Sequence, residues 1–431
     1  MTGFLDANDP GRFPESWYAA SDPEPAPRPS LSQNHRADVA VIGAGYAGLS
    51  AALHLAEAGL SVTVLEANRV GWGASGRNGG QLGAAPRQDI DWYEATLGLE
   101  TAKKIYALAV EANTLARTLI ARHGIECQLK DGILDALHSR RYVAAAEAYA
   151  RRMRGDYDVE DVRYLDRDET AAATGSGTFF GGVLNTRAAH LHPLRYARGL
   201  AYAAEAAGAQ IYEASRVRRI DGAEGLVTTD GAEIRADFIV LAVNGYHDGI
   251  ENRTASRVVP INNFIIATEP LGERFPEILP GDIAVADTRF VVNYFRLSPD
   301  RRMLFGGGES HSKRFPANLK TFVRPHMLKL YPQLAEVRVD YGWGGTLGIT
   351  PTRAPVFLRA EKRVLSIGGW SGSGVHMATL GGKIAAEAIR GTTERFDLLS
   401  SVPAPAFPGG QTFRAPLLRL ALTYYGLLDR L

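Results

Sequence analysis

The chain contains one cysteine, Cys127, among its 431 residues. A single cysteine excludes an internal disulfide framework, a CxxC redox pair and a cysteine-rich metal site. The sequence also lacks an HExxH metal motif and a GxSxG nucleophile motif in a matching context. We therefore expect no metal site and no protein nucleophile at the centre of the chemistry.

The chain has 48 Lys and Arg residues and 47 Asp and Glu residues, so its net charge is +1 and neither sign dominates. Without a local basic cluster, we expect no nucleic-acid partner. No apolar run approaches the length of a membrane span, and the N-terminus lacks the charged-then-apolar pattern of a secretion signal. We expect no transmembrane segment and a cytoplasmic location.

Length and composition indicate two globular domains. A chain of 431 residues exceeds one ordinary hydrophobic core. Its apolar fraction of 45% and charged fraction of 22% are typical of soluble globular proteins.

Residues 36–81 hold the most informative pattern in the chain. A short β-branched apolar run at residues 39–42 predicts a buried strand, too short for a helix. Small and apolar residues at helical period predict a helix over 47–58, and residues 61–65 predict a second strand. The order is strand, turn, helix, strand.

Three glycines, Gly43, Gly45 and Gly48, stand at the first turn in G-x-G-x-x-G spacing. The first permits the tight turn, the second lets backbone approach a pyrophosphate, and the third lets helix and strand pack closely. Amide groups at the helix start then bind the phosphates. Glu66 follows the second strand 18 positions after Gly48, close to the usual spacing of about 20 for the carboxylate that binds a ribose diol. The pattern predicts a dinucleotide site.

A second glycine-rich stretch, residues 69–81, favours FAD over NAD. An NAD domain needs no such loop after the acidic strand, whereas a longer ligand needs backbone wrapped around it. Ser75 can donate to a phosphate, and Gly76, Gly79 and Gly80 allow close approach and positive φ. No second G-x-G-x-x-G follows another predicted strand, so we expect no NAD(P)H site. An NAD-dependent dehydrogenase is the disfavoured alternative.

The run GWGASGRNGGQ at residues 71–81 resembles the N-terminal FAD motif of the D-amino acid oxidase, sarcosine oxidase and glycine oxidase superfamily. Together with RQDID at residues 87–91, it is similar to the gamma-glutamylputrescine oxidoreductase branch of that superfamily. Further runs with this resemblance span nearly the whole chain: SWYAAS at 16–21, HLHP at 190–193, YFRLS at 294–298, GGWSGSGV at 368–375 and FPGG at 407–410.

The resemblance implies an α/β fold, α+β overall, with a Rossmann-like FAD-binding domain of the glutathione-reductase-like type and a second, mostly antiparallel-sheet substrate domain. We also expect an N-terminal arm, anchored on the body by Trp17 and Tyr18, and a C-terminal extension. The expected boundaries are 1–35 for the arm; 36–85, 150–255 and 345–395 for the FAD-binding domain; 86–149 and 256–344 for the substrate domain; and 396–431 for the extension.

The resemblance also implies where FAD is held. In the superfamily, backbone at the position of Val217 touches adenine, and the last helix, here near residues 375–389, directs its N-terminus at the flavin. Relatives that attach FAD covalently use a cysteine near the C-terminal flavin motif, and Cys127 lies elsewhere, so we expect noncovalent FAD unless one of the ten histidines provides the link. The expected contacts are Gly43, Ala44, Gly45, Tyr46, Ala47, Gly48, Glu66, Ala67, Gly73, Ala74, Ser75, Gly76, Arg77, Asn78, Gly79, Gly80, Gln81, Val217, Ala242, Gly369, Gly372, Ser373, Gly374 and Val375.

Five residues are candidates for substrate binding. Arg296 is the first candidate for a substrate carboxylate, because relatives that oxidise amino acids often place an arginine there for a bidentate pair. A structural ion pair is the competing interpretation. Tyr294 alternates onto the same strand face. Arg353 can contact flavin or substrate, Trp370 can wall the amine site, and His192 can face the pocket, although structural roles compete for each.

The expected function is oxidation of an amine with FAD, first the primary amine of gamma-glutamylputrescine, giving an aldehyde, ammonia and hydrogen peroxide in putrescine catabolism. The flavin carries the hydride transfer, so no catalytic side chain is assigned. One alternative is another substrate, such as an imino acid, a D-amino acid or a sarcosine-like amine. A further alternative is a flavin-binding subunit without turnover.

Two electron acceptors are compatible with the sequence, oxygen and another oxidant. Sarcosine oxidase relatives hold an oxygen-activating lysine above the flavin, whereas this chain has no lysine between Lys130 and Lys313. The corresponding strand, residues 303–308, offers apolar residues and glycine. Residues 411–431 predict an amphipathic helix that packs on the body or in a homodimer rather than on a membrane surface.

Overall fold

The computed structural model describes residues 3–408, so the helix predicted over 411–431 lies outside the described residues. Within residues 3–408, no helix is long and apolar enough to cross a bilayer. The helices are α1 (Trp17–Ala20), α2 (Tyr46–Glu57), α3 (Ile90–Leu97), α4 (Leu99–Arg122), α5 (Val143–Tyr157), α6 (Arg167–Thr174), α7 (Pro193–Ala206), α8 (Asn252–Ala255), α9 (Phe275–Ile278), α10 (Leu319–Leu330), α11 (Gly374–Ile389) and α12 (Glu394–Ser400). The strands are β1 (His35–Ile42), β2 (Val62–Leu65), β3 (Gln81–Leu82), β4 (Lys130–Ala136), β5 (Val162–Leu165), β6 (Gly182–His190), β7 (Gln210–Tyr212), β8 (Val217–Asp221), β9 (Leu226–Thr229), β10 (Glu233–Leu241), β11 (Val259–Thr268), β12 (Ala284–Asp287), β13 (Tyr294–Leu297), β14 (Met303–Ser310), β15 (Val339–Ile349), β16 (Val356–Glu361) and β17 (Val364–Gly368).

The first sheet is mostly parallel and runs in the order β16-β17-β10-β1-β2-β7. β1 pairs in parallel with β2 and β10, and β10 pairs in parallel with β17. β2 and β17 are buried along their whole length, which suits strands covered on both faces. The carboxyl ends of these strands meet at one edge, where Gly43 follows β1 and Glu66 follows β2.

Helices cover one face of this sheet, and a hairpin covers the other. α2 packs against α7 and α11, and α11 also packs against α4. On the opposite face, β8 and β9 pair with each other and share a small apolar core with Leu31 of the N-terminal arm. This architecture confirms the predicted α/β fold.

The second sheet runs in the order β15-β11-β14-β13-β12-β4-β6-β3, with β5 beside β6. Among its described strands every pair is antiparallel except β12 with β4. One face packs against α10 around a core that includes Phe264, Phe295 and Phe305. The predicted second, mostly antiparallel sheet is therefore present.

The two sheets divide the chain differently from the expected boundaries: β3 and the end of β15 lie in ranges expected for the first domain but pair in the second sheet, and the largest difference falls within residues 150–255. The sequence places residues 150–255 in the first domain, but β5 and β6, within that range, pair in the second sheet. A hydrophobic pattern indicates that a strand is buried, not which of two sheets it joins. We propose the same two-domain division with residues 162–190 moved to the substrate domain.

The N-terminal arm is anchored by α1, as predicted. Ser16 caps this helix by accepting a hydrogen bond from the amide of Ala19. Trp17 and Tyr18 are buried, and the Tyr18 ring packs edge-on against Trp343 of β15, with centroids 5.1 Å apart. The arm therefore packs against the second sheet.

Candidate active site

The turn between β1 and α2 has the geometry of a phosphate cradle. Gly43 has a φ of +101°, and a Cβ there would lie 2.9 Å from the carbonyl oxygen of Ala242. A Cβ at Gly48 would lie 1.9 Å from the carbonyl oxygen of Gly43, so α2 approaches β1 this closely only with glycine. Gly45 caps α2 without a side-chain hydrogen bond, which leaves amides at the helix start for a ligand.

Glu66 closes the same turn from the end of β2. Its carboxylate accepts hydrogen bonds from the amides of Ala44, at 2.8 Å, and Asn68, at 2.9 Å. Burial raises the pKa of the Glu66 carboxyl to about 7, and these two amides oppose the rise. A half-buried carboxylate on a cavity wall fits the hydroxyl donors of a ribose, which FAD supplies.

Residues 69–81 form a second wall around the cradle. The hydroxyl of Ser75 accepts a hydrogen bond from the Tyr46 amide at 3.1 Å. The buried guanidinium of Arg77 donates from Nε to the carbonyl oxygen of Trp72 at 2.6 Å. Its Nη2 is buried and has no hydrogen-bond partner within residues 3–408, and burial lowers the pKa of Arg77. An unsatisfied cationic donor beside the cradle fits an anionic oxygen of the cofactor.

The N-terminus of α11 also faces the cavity. Ser373 caps this helix without a side-chain hydrogen bond, so its first amides are available to a ligand. Ser371 has a φ of +50° and Gly372 a φ of +100°. The Ser371 amide holds this loop in place by donating to the carbonyl oxygen of Gly348 at 3.0 Å. The positive end of a helix dipole at this place stabilises an electron-rich group.

One continuous cavity of about 1170 Å³ joins these features to the second sheet. The predicted cofactor residues on its wall are Gly43, Gly45, Tyr46, Ala47, Glu66, Ala67, Gly73, Ala74, Ser75, Arg77, Asn78, Gly79, Gln81, Val217, Ala242, Gly372, Ser373, Gly374 and Val375. The remaining predicted cofactor residues, Ala44, Gly48, Gly76, Gly80 and Gly369, lie behind the wall. A Cβ on any of those four glycines would come within 3.0 Å of other atoms, so they shape the cradle without lining it.

Three of the five predicted substrate residues lie on the cavity wall: Tyr294, Arg353 and Trp370. The Tyr294 hydroxyl donates to Oδ1 of Asn263 at 2.5 Å, and its ring lies against Gly79 of the cofactor loop. Tyr294 therefore places the second sheet directly on that loop.

Arg353, in the connection between β15 and β16, and Trp370, just after β17, line the cavity. The Arg353 guanidinium lies 5.4 Å from the centroid of the Phe290 ring, a cation–π distance. Trp370 packs edge-on against Phe357 at a centroid distance of 6.0 Å. A Cβ on Gly381 of α11 would lie 2.5 Å from the Trp370 ring, so that helix and the indole fit closely.

Arg296 is not on the cavity wall, which corrects its predicted role. Its side chain is 3% exposed and donates from Nε to the Gly79 carbonyl oxygen at 2.8 Å and from Nη2 to that of Leu191 at 2.9 Å. Arg296 and Tyr294 share a strand face, as predicted, but Arg296 lies beyond the end of the cavity. Its charge ties the second sheet to the cofactor loop rather than to a substrate.

His192 is likewise structural, as the competing interpretation held. It is fully buried and caps α7, with Nδ1 accepting from the Arg195 amide at 3.2 Å. Nε2 lies 3.1 Å from the hydroxyl of Ser21 in the N-terminal arm. Burial, with nearby Arg296, lowers the pKa of His192 to about 2, so the ring is neutral at physiological pH.

Two carboxylates that the motifs did not indicate line the substrate half of the cavity. Asp135 points from β4 into the cavity, and enclosure by protein raises its pKa to about 6, opposed by Arg87. Burial also raises the pKa of Glu309 on β14, opposed by Arg353 and Arg87. A charged residue inside the buried run of β4 was the available signal for Asp135, because such groups concentrate at functional sites.

Arg87 and His376 were also missed. Arg87 lines the cavity and donates from Nε to the Ser371 carbonyl oxygen at 3.0 Å, beside the start of α11. His376 lies on α11 with Nε2 3.1 Å from the Ala85 carbonyl oxygen. Burial lowers the pKa of His376 to about 4, so its ring is neutral beside the cavity.

Residues 38–388 match the family described as DAO, FAD dependent oxidoreductase. The probable oxidoreductase OrdL of Rhizobium meliloti (strain 1021) is 41% identical over 96% of this chain and 97% of its own length. The gamma-glutamylputrescine oxidoreductase of Escherichia coli (strain K12) is 37% identical over 96% of this chain and 98% of its own length.

Two solved structures share the fold. Glycine oxidase from Geobacillus kaustophilus has a TM-score of 0.69 at 21% identity, over 83% of this chain and 95% of that structure. L-Proline dehydrogenase from P. horikoshii has a TM-score of 0.68 at 21% identity, over 84% of this chain and 94% of that structure. The cradle, the carboxylate at its rim and the match over residues 38–388 agree: the chain belongs to the DAO family of FAD-dependent oxidoreductases.

Proposed function

We propose that this oxidoreductase acts on the primary amine of gamma-glutamylputrescine and converts it to an aldehyde and ammonia. The observation that carries the proposal is the charge of the substrate half, where the carboxylates of Asp135 and Glu309 line the cavity. Carboxylates that line a binding cavity attract cationic groups, and an amine substrate brings one. The 37% identity to a gamma-glutamylputrescine oxidoreductase supports the same substrate.

Bound FAD supplies the acceptor for a hydride equivalent. The chain's side chains bind the amine and orient the carbon that carries nitrogen. Loss of two electrons and two protons from R–CH2–NH2 gives R–CH=NH, and water then converts this imine to R–CHO and NH3. With oxygen as final acceptor, the two electrons and two protons leave as hydrogen peroxide.

An amino acid is the second candidate substrate class. Arg87 and Arg353 lie on the same part of the wall, and arginine binds carboxylates well. Arg296, the residue predicted for that role, is held by backbone carbonyl oxygens instead.

We propose that FAD is bound without a covalent link and that oxygen reoxidises it slowly. Cys127 is 1% exposed and does not line the described cavity, and burial raises its thiol pKa to about 12. No lysine lies on the cavity wall within residues 3–408. Without a lysine on this wall, we expect an oxidase that reacts slowly with oxygen.

The test is to mix purified holoenzyme with gamma-glutamylputrescine in the absence of oxygen and follow the visible flavin absorbance. We expect rapid bleaching that putrescine, glycine and sarcosine do not cause. A yellow protein that does not bleach contradicts the substrate, and D-amino acids or cyclic imino acids are then tried. A protein that no amine bleaches is a flavin-binding subunit.

A further inference from the structure

One face of the second sheet carries a row of residues toward the cavity. Asp135 of β4 lies opposite Ala286 of β12, Ala286 opposite Tyr294 of β13, and Tyr294 opposite Gly306 of β14. Residues directly opposite in neighbouring strands point to the same face. Asp135, Ala286 and Tyr294 accordingly all line the cavity.

A β-bulge turns Glu309 onto this same face. Ile265 of β11 pairs with Gly306, and Asn263 pairs with Glu309, so the single residue between them on β11 faces two, Gly307 and Gly308, on β14. Without the extra residue, Glu309 would point away from the face that Gly306 occupies, because side chains alternate along a strand. Gly308 has a φ of +76°, a conformation that glycine adopts readily. Glu309 and Asn263 therefore both line the cavity.

Within residues 3–408, neither Asp135 nor Glu309 accepts a hydrogen bond or forms an ion pair within 4 Å. Most other acidic groups on the wall have partners; Asp287, for example, accepts from the amide and the side chain of Asn293. Asp135 is exposed and Glu309 half-buried on the cavity wall. A substrate that covered these carboxylates without supplying a cation would leave the charges unpaired and desolvated, a cost that a bound ammonium avoids.

We propose that Glu309 binds the cationic reacting amine and Asp135 binds a second ammonium at the far end of the substrate. The assignment rests on the proposed function. Glu309 interacts electrostatically with Tyr294, whose ring lies on Gly79 of the cofactor loop. Asp135 interacts with Tyr149 of α5 and lies on β4, three strands from β14. The reacting end therefore belongs at Glu309.

The separation of the two carboxylates on the sheet matches the reach of gamma-glutamylputrescine. β4 and β14 are three strand spacings apart, about 14 Å at about 4.8 Å each, and Glu309 lies a further three residues, about 10 Å, along β14 from Gly306, so the two positions are about 17 Å apart. Ten bonds separate the reacting nitrogen from the α-ammonium of the glutamyl group, about 12 Å in an extended chain, and a hydrogen bond of about 2.8 Å at each end brings the span to about 18 Å. Free putrescine has five bonds between its nitrogens, about 6 Å, and cannot reach both carboxylates. The pair thus selects the acylated diamine by length.

A series of diaminoalkanes tests the pair without relying on gamma-glutamylputrescine as substrate. The holoenzyme is first reduced with dithionite, so that no amine is turned over, and Kd is measured by calorimetry. We expect the tightest binding near 1,9-diaminononane, which also has ten bonds between its nitrogens. Asp135→Asn is expected to weaken that diamine roughly 10-fold to 100-fold and to leave 1-aminononane unchanged. Glu309→Gln is expected to weaken both ligands.

Asp131→Asn is the matched control, because Asp131 lies on the same strand, is largely exposed and pairs with Arg117 outside the cavity. The inference is overturned if Kd does not depend on diamine length, or if Asp135→Asn weakens 1-aminononane as much as the diamine. If the length preference is found but gamma-glutamylputrescine does not bleach the flavin, the carboxylate pair stands and the proposed substrate is wrong.

Discussion

The two halves of the cavity are lined by different kinds of chemical group. The cofactor half uses backbone amides and glycines from two nearby stretches, residues 43–48 and 69–81. The substrate half uses single side chains from separate strands, such as Asp135 of β4, Tyr294 of β13 and Glu309 of β14. One half depends on close backbone approach, and the other depends on the register of a sheet.

Because of this difference, we expect substitutions in the two halves to have different consequences for the fold and for FAD binding. At Gly43, Gly48, Gly76 and Gly80 of the cofactor half, an added methyl group meets backbone, so damage extends to the fold and to FAD together. In the substrate half, the side chains face open space, so a substitution can remove a charge and leave the walls in place. If this is correct, substitutions in the cofactor half remove FAD, and substitutions in the substrate half leave it bound.

The largest effect is expected from Gly48→Ala. The new Cβ would lie 1.9 Å from the Gly43 carbonyl oxygen, which pushes α2 away from β1 and spoils the cradle. We expect a loss of about 1–3 kcal/mol or more in stability and protein that purifies without FAD. FAD released per chain on denaturation and Tm measure this. Gly155→Ala, in α5 where no atom lies within 4 Å, is the control and is expected to keep FAD; full occupancy in Gly48→Ala would contradict the packing.

Glu309→Gln is expected to leave FAD content unchanged and to slow anaerobic flavin reduction about 100-fold. The amide can neither neutralise the substrate ammonium nor take its proton. Stopped-flow absorbance measures the rate, with Asp131→Asn as the control outside the cavity.

The pH dependence of that rate gives a second test of Glu309. Burial raises the pKa of its carboxyl, against Arg353 and Arg87, and Tyr294 and Asn263 face it from β13 and β11. Only the ionised form binds the ammonium, so the rate falls on acidification at a higher pH than an ordinary glutamate gives. Glu309→Gln is expected to lose this inflection. An unchanged inflection assigns it to another group.

The sequence predicts the cofactor half well because its determinants are local. Glycine spacing, a short apolar run and one acidic residue specify the turn around Gly43 and the position of Glu66 within about thirty residues of chain. The same local evidence places the start of α11. Glycine accounts for the turn in two ways, by the positive φ at Gly43 and by the close packing at Gly48.

Local sequence patterns do not predict the residues of the substrate half, because the positions of these residues depend on pairing between strands far apart in the sequence. Alternation along YFRLS correctly puts Tyr294 and Arg296 on one face, yet does not show where the cavity ends along that face. The bulge at Gly308 reverses the alternation before Glu309, and no motif marks it. The register of strands far apart in the chain decides which side chains meet a substrate.

Glu66→Gln is expected to reduce the affinity for FAD about 10-fold at pH 8. Without cofactor, the Glu66 carboxyl has a pKa of about 7, because burial disfavours its charge. Ribose donors favour the ionised form, so FAD binding releases a proton below that pH. Affinity in the wild type therefore falls as pH drops from about 7, and the variant shows no such slope. Titration of apoprotein with FAD by fluorescence quenching measures both, and a slope that persists in Glu66→Gln would contradict the assignment.

The smallest expected effect is that of the Asp135 carboxyl on KM at acidic pH. Its carboxyl has a pKa of about 6, raised by burial and opposed by Arg87, with Tyr149 facing it from α5. Because only the ionised form binds an ammonium, we expect KM for gamma-glutamylputrescine to rise below about pH 6, by roughly 10-fold at most. Asp135→Asn is expected to give a raised KM without that inflection.

The analogue N-glutarylputrescine makes this test specific, because it keeps the reacting amine and lacks the α-ammonium. The ratio of the two KM values cancels every group that both substrates meet, Glu309 included. We expect the ratio to change with pH in the wild type and in Asp131→Asn, and to be constant in Asp135→Asn. If the ratio still changes in Asp135→Asn, the distal ammonium is bound by another carboxylate on the wall, and Asp89, which also interacts with Tyr149, is the next to be replaced. In that case the position of Asp135 on β4 would not decide which substrate is bound, while the cofactor half of the same cavity would still hold FAD.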